Sequence, residues 1–341
     1  MRLKFILSFY LLLLFSLNLS ALSGITDSSH RGRFGDCLLS YMKIKWLAYK
    51  KNMKPFYYPF AYSDSLTMRK LEPKYTAHTK NNFKRVIRLR KNNFSSLGSD
   101  SSALYITNYY LNLGVNADFN DEIFIKELKK MIAPIKNIPK HDLPADRISV
   151  AVHIRKGGGF DKPLLSESSS TLTDVSGKQH DYVDVGYPLK FPPDEFYIDQ
   201  IKVLFHTLGG IPLYIHIFTD DKNPLRIAQK YEQALDDLDI VVSCRESGNT
   251  HNANVIEDFF AMNQYDCLIR SASNFSYCAD IIGDFFISIY PEHGFWKSGK
   301  LIMDDIRVKV NPKSFCKIAR FFEDDSFLNT LLKEPNVRTK M

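Results

Sequence analysis

The sequence predicts an α/β fold, and three observations carry that expectation. After Arg147, apolar β-rich runs alternate with segments of helical periodicity. Most of those runs are apolar on both faces, as strands are in a parallel sheet covered by helices on both sides. The chain has 341 residues, of which 45% are hydrophobic and 24% charged; this is a globular composition, long enough for about two domains.

Taken in order, the chain opens on an address rather than on the fold. Arg2 and Lys4 precede a nearly continuous apolar run, Phe5 to Leu19, and Ala21-Leu22-Ser23 offers a small-x-small cleavage site. Residues 1–23 therefore read as a secretory signal or, if uncleaved, as an anchor that would associate the protein with a membrane. Both readings put the body of the chain across a membrane: in the secretory pathway of a eukaryote, or exported or membrane-associated in a bacterium. Five cysteines follow with no CxxC pair, so the spacing predicts no zinc site and at most one or two disulfides.

Between Gly32 and about Asp146 the pattern is irregular. A helix is expected over Asp36–Asn52, a strand over Ala103–Leu111 and an amphipathic helix over Glu122–Ile132. The basic stretch Lys80–Lys91 reads as a solvated face, because only Phe83 interrupts it and nucleic-acid contact calls for interleaved aromatics. The net charge of +7 suits a small polyanionic ligand at least as well as nucleic acid, and no nucleic-acid recognition motif accompanies it. Ala133–Asp146, with three prolines, is the expected boundary, giving an amino-terminal domain over 24–140, a carboxyl-terminal one over 141–330 and a short tail over 331–341.

The second half reads as strands Ile148–Ile154, Pro212–Phe218, Ile240–Cys244, Cys267–Ile269 and Phe286–Tyr290. They alternate with helices Asp194–Leu208, Pro224–Leu235, Val255–Asn263 and Phe275–Ile282. In such a Rossmann-like sheet the ligand lies beyond the carboxyl ends of the strands. Those ends are polar. The first strand runs into His153-Ile154-Arg155-Lys156-Gly157-Gly158-Gly159, two cations before a glycine loop, which is chemistry for phosphate. The second ends in Thr219-Asp220-Asp221, where a carboxylate accepts from a ribose or a base, or else caps the next helix. The fourth leads into Ser271-Ala272-Ser273-Asn274-Phe275-Ser276, hydroxyls at a helix start that suit an anion or simple capping. The set describes a nucleotide-diphosphate site.

Four segments carry a resemblance to a known family. Gly32-Arg33-Phe34-Gly35-Asp36 is similar to a GRFGNQ-type loop, and Val152-His153-Ile154-Arg155 to an HxR signature. His216-Ile217-Phe218-Thr219-Asp220-Asp221 resembles a strand ending in an acidic pair. The stretch Glu257-Asp258-Phe259-Phe260-Ala261-Met262, then Asp266-Cys267 and Ser273-Asn274-Phe275-Ser276, resembles a long final motif. In this order they resemble the GDP-fucose-dependent fucosyltransferase superfamily of α1,2- and α1,6-fucosyltransferases and protein O-fucosyltransferases.

The resemblance implies a GT-B-like fold, two Rossmann-like domains facing across a cleft, and an inverting transfer of fucose from GDP-fucose to a glycan or glycoprotein hydroxyl. It implies no required cofactor and no metal, and no DxD directly follows a strand. Arg155 would bind the β-phosphate and stabilise the leaving group. His153, on the same strand face, would contact nucleotide or position Arg155, or else is a core histidine. Lys156 and Gly157 would line the phosphate loop, Asp221 would read guanine or ribose, Ser273 and Ser276 the pyrophosphate, and Asp258 would make a structural or nucleotide hydrogen bond. Two acids compete as base: Asp36, where the protein O-fucosyltransferases commonly have Asn, and Asp161, which the glycine insertion displaces. The Ser/Thr-rich stretch Leu164–Asp184 reads as a flap or as disorder, and sequons stand at Asn93 and Asn274. A protein of the same fold that binds nucleotide sugar or glycan without turnover is the alternative.

Overall fold

A computed structural model describes residues 23–29, 32–157, 171–173, 179–181, 188–246, 249–250, 252–298, 300–324, 326–333 and 337–339. The chain divides into two compact units, the first ending at Ile135 and the second beginning at Lys136. All of the expected signal segment except Ser23 lies outside the described residues, as does Asp161. Among the described residues no helix is long and apolar enough to cross a membrane.

The first unit is built on a parallel sheet. Its strands are β1 (Gly24–Asp27), β2 (Lys54–Pro55), β3 (Arg85–Arg88) and β4 (Ala103–Thr107), in the order β2-β1-β4-β3. Strand β1 feeds helix α1 (Phe34–Lys51), which buries Leu38, Tyr41, Met42 and Leu47. Asp27, at the carboxyl end of β1, ties sheet to helices. Its Oδ2 accepts from Ser40 Oγ at 3.0 Å and from Asn112 Nδ2 at 3.1 Å, and all three residues are buried. The strand expected over Ala103–Leu111 stops at Thr107. Asn108 turns the chain there, its side chain accepting from Leu111 N at 3.0 Å to start a short helix over Tyr109–Leu113. Helix Glu122–Ile132 forms as expected, capped by Asp121. The basic stretch contains β3, an exposed edge strand, and charge on an edge discourages pairing with other chains.

The second unit is the larger sheet. Its first strand is β5 (Ile148–Ile154), and β6 (Thr171–Thr173) and β7 (Gln179–Asp181) form a separate small hairpin. Most of the expected flap around that hairpin lies outside the described residues. The sheet continues with β8 (Leu213–Thr219), β9 (Ile240–Cys244), β10 (Cys267–Arg270), β11 (Ile287–Lys297), β12 (Lys300–Val310) and β13 (Val337–Thr339). The strand order is β13-β12-β11-β10-β5-β8-β9. Strands β5, β8, β9, β10 and β11 are mutually parallel, and Ile148, Val150, Val152, Ile154, Ile215, Ile217 and Ile269 fill the core between them and the helices.

The α/β class with two Rossmann-like units is therefore as expected. One feature differs. The last strand, read as Phe286–Tyr290, is the start of an eleven-residue strand that forms an antiparallel hairpin with β12. None of the five cysteines is in a disulfide. Cys37 and Cys267 are deep in the units, and burial, the largest effect, pushes the Cys37 thiol up to about 12, so these thiols act as small apolar side chains.

Candidate functional site

From β5 the chain moves outward through β8 to β9, then returns to the other side of β5 as β10 and continues to β11. The order reverses between β5 and β10, and crevices beyond strand ends at such a reversal are where open α/β sheets bind ligands. The register brings the polar strand ends together. His153 pairs with Arg270 on one side and with Phe218 on the other, and Ile154 pairs with Thr219.

His153 is buried, its ring 5.5 Å from that of Phe275 at the start of helix Asn274–Ile282. Burial foremost, then the charges of Arg155 and Arg270, push its pKa down to about 3, so the imidazole is neutral near pH 7. Arg155 lays its guanidinium 5.7 Å from the Phe191 ring and 3.9 Å from Asp220 Oδ2. Asp220 Oδ1 accepts from the backbone N–H of Lys156 at 2.7 Å and of Gly157 at 3.1 Å. Gly157 has φ 91°, in the left-handed region that favours glycine.

Two buried polar atoms at this end, His153 Nδ1 and Asp220 Oδ2, make no hydrogen bond. Beside them the Tyr197 hydroxyl, on helix Asp194–Thr207, is raised by burial, while the neighbouring Ser271 hydroxyl and Arg155 backbone act the other way as hydrogen-bonding groups. Proteins rarely leave buried polar atoms unsatisfied, and a pair of them at a strand-end crevice is suited to ligand donors and acceptors.

Other expected site residues take different places. The Lys156 ammonium turns to Asp194 Oδ1 at 2.5 Å, and Lys230 holds the other oxygen at 2.8 Å. Burial favours a raised Asp194 pKa, yet these two lysines hold it below the usual range. Asp221 builds a turn, accepting from Asn223 N at 2.7 Å, while its neighbour Asp220 is the acid that reaches the β5 loop. Ser276 is fully buried and donates to Ser273 O at 3.3 Å. Ser273 is the N-cap of its helix but makes no side-chain capping bond. Asp258 accepts from Arg245 NH2 at 2.6 Å, and burial raises its carboxyl against the pull of that arginine. In the first unit, Asp36 lies inside α1 and accepts from Arg33 N at 3.0 Å, the helix-start role that competes with its use as a base.

Sequence reasoning missed Arg270. It ends β10, 4% exposed, and reaches Asp280 Oδ2 through Nε at 3.3 Å and NH2 at 3.2 Å, with the Tyr290 ring 4.1 Å from the guanidinium. Ser288 Oγ and Lys309 Nζ hold the other Asp280 oxygen at 2.8 Å and 3.1 Å. The strand-end rule was the signal available, since Arg270 directly precedes Ser271. Among the described residues no group of three or more His, Cys, Asp or Glu is arranged to hold a metal ion.

Fold and strand register thus define an α/β protein of two Rossmann-like units, the second of which gathers polar side chains at the carboxyl ends of its strands. No protein-family model matches the chain, and no curated protein matches its sequence. Among solved structures it is similar to POFUT1 in complex with GDP-fucose, at 13% identity and TM-score 0.42 over 79% of this chain and 97% of that one. It is also similar to a mutant of Arabidopsis thaliana FUT1 in complex with GDP, at 9% identity and TM-score 0.45 over 83% of this chain and 73% of that one. A third is fucosyltransferase NodZ from Bradyrhizobium, at 11% identity and TM-score 0.36 over 83% of this chain and 98% of that one.

Proposed function

We propose that the protein is a GT-B-like glycosyltransferase that binds a nucleoside-diphosphate sugar at the carboxyl ends of β5, β8 and β10. The observation that carries this reading is the pair of buried, unsatisfied polar atoms where the strand order reverses, beside the Arg155 guanidinium. The four motif segments narrow the donor to GDP-fucose and the acceptor to a glycan or protein hydroxyl. Arg155 would meet the β-phosphate and stabilise the negative charge that develops on GDP as it departs, and a pre-placed cation is an effective means of doing so. His153, neutral at working pH, would hydrogen-bond the nucleotide through Nδ1 without adding charge. Tyr197 and Ser271 would offer hydroxyls to the same ligand. Inversion, independence of metal and a general base at Asp36 or Asp161 belong to this proposal. So does a lumenal or exported setting, which follows from the amino-terminal segment.

A nucleotide-sugar binder without turnover is the second reading, and the engagement of Asp36 by the Arg33 N–H favours it. The test is GDP release from GDP-fucose by residues 24–341 with a panel of glycan and peptide acceptors. Release that needs Arg155 supports the enzyme, and tight GDP binding without release supports the binder.

A further inference from the structure

Two successive backbone N–H groups, those of Lys156 and Gly157, converge on one oxygen of Asp220. Converging amides of this kind, with a residue at positive φ, form a nest for an anion. Here the anion is a side chain from the adjacent strand. The other Asp220 oxygen is buried without a hydrogen bond and lies 3.9 Å from the Arg155 guanidinium. That separation is too long for a hydrogen bond but well within Coulombic reach. The loop that suits a phosphate is therefore already occupied and partly neutralised by an acid of the chain itself.

We propose that Asp220 is a built-in anion that keeps the β5 loop in its binding shape and lowers its affinity for phosphate-class ligands, which bind by competing with it. The inference rests on the strand-end nucleotide site proposed above and adds a determinant of its strength. An incoming diphosphate draws on the Lys156 and Gly157 amides and on Arg155, the three groups Asp220 now faces. The carboxylate thus weakens product binding, and a transferase releases a nucleoside diphosphate at every turnover. A purely structural Asp220 behaves differently, since its loss would disorder the loop and weaken binding.

Asp220→Asn separates the two roles, because the amide oxygen still accepts from both N–H groups while the charge is gone. Calorimetric titration with inorganic pyrophosphate and, in parallel, with GDP compares the wild type, this variant and Asp237→Asn. The last removes the same charge from the amino ends of the strands, between helix Pro224–Ala234 and β9. The expected result is pyrophosphate binding at least about fivefold tighter in Asp220→Asn and unchanged in Asp237→Asn. Equal or weaker binding in a folded Asp220→Asn overturns the inference, as does an equal gain in Asp237→Asn. Should Asp220→Asn fail to fold, Asp220→Ser, which keeps an uncharged acceptor oxygen, takes its place. GDP that binds wild type and Asp220→Asn alike removes this inference and leaves the functional reading. Tighter pyrophosphate binding in the variant, with GDP binding neither protein, supports the inference and removes the functional reading.

Discussion

Acidification from pH 7 to pH 5 is expected to weaken the second unit through two histidines. His153 is held near 3 by burial, Arg155 and Arg270, and His216 near 3 by burial, His141 and Arg245. In the unfolded chain each titrates near about 6.5. Between those values the unfolded state binds more protons, so stability rises with pH across the window and is lost as pH falls from about 6.5 toward 3. Each histidine then loses about 1.9 kcal/mol between pH 7 and pH 5, and the pair about 4 kcal/mol, a large share of a typical 5–15 kcal/mol. The carboxyls of Glu72 and Asp258, raised chiefly by burial, act in the opposite sense. The informative quantity is therefore a difference. Urea unfolding at pH 7 and pH 5 is compared between the wild type and His153→Gln/His216→Gln, in which both carboxyls remain. The wild type is expected to lose about 4 kcal/mol more than the double variant. A pH dependence that survives undiminished in the double variant refutes the reasoning, since the titrating groups would then lie elsewhere.

Other substitutions follow from the same geometry. Asp280→Ala strands Arg270 and Lys309 beside an empty position, and breaking a buried pair costs about 3–5 kcal/mol, a fall in Tm of roughly 6–20 °C by thermal melt. Replacing Arg270 and Asp280 together by Met and Leu should recover most of that loss, because Lys309 is 23% exposed and can turn to solvent. Gly32→Ala should destabilise α1, because Gly32 sits at φ 86° and an added Cβ would lie 2.3 Å from Asp36 Oδ2; the helix loss is readable by circular dichroism. Asp36→Asn keeps an acceptor for Arg33 N, so a Tm within about 2 °C of wild type is expected. A transfer rate lowered on the order of a hundredfold in that folded variant would mark Asp36 as the base.

The sequence made most of the second unit legible because its strands are short apolar runs between strong helix periods. Val150, Val152, Ile215 and Ile269 lie on such runs, and burial on both faces leaves a continuous hydrophobic trace. The first unit was harder to read. Its central strand, Gly24–Asp27, carries one large apolar residue, Ile25, and β3 is a basic edge. Ala103–Leu111 was misread because Asn108 breaks an apolar run whose β preference is otherwise unopposed. At the candidate site, His153 lies near the end of β5 and Arg155 directly after it, as the sequence placed them. Which of two adjacent acids points inward depends on strand register and turn geometry, so Asp221 was chosen where Asp220 reaches the loop. Lys156 looked like a phosphate cation until Asp194, 38 residues further on in sequence, was found beside it. Arg270 fell between the expected strand, which ended at Ile269, and the serine-rich helix start, and its partner, Asp280, lies on the following helix.

The central claim is that the strand ends of the second unit hold a nucleoside diphosphate against Arg155. Calorimetric titration of GDP into the wild type and into Arg155→Ala tests it most directly. Saturable binding by the wild type, weakened on the order of a hundredfold or more by the substitution, is the predicted result. GDP that fails to bind the folded wild type, or that binds Arg155→Ala equally well, would contradict the account.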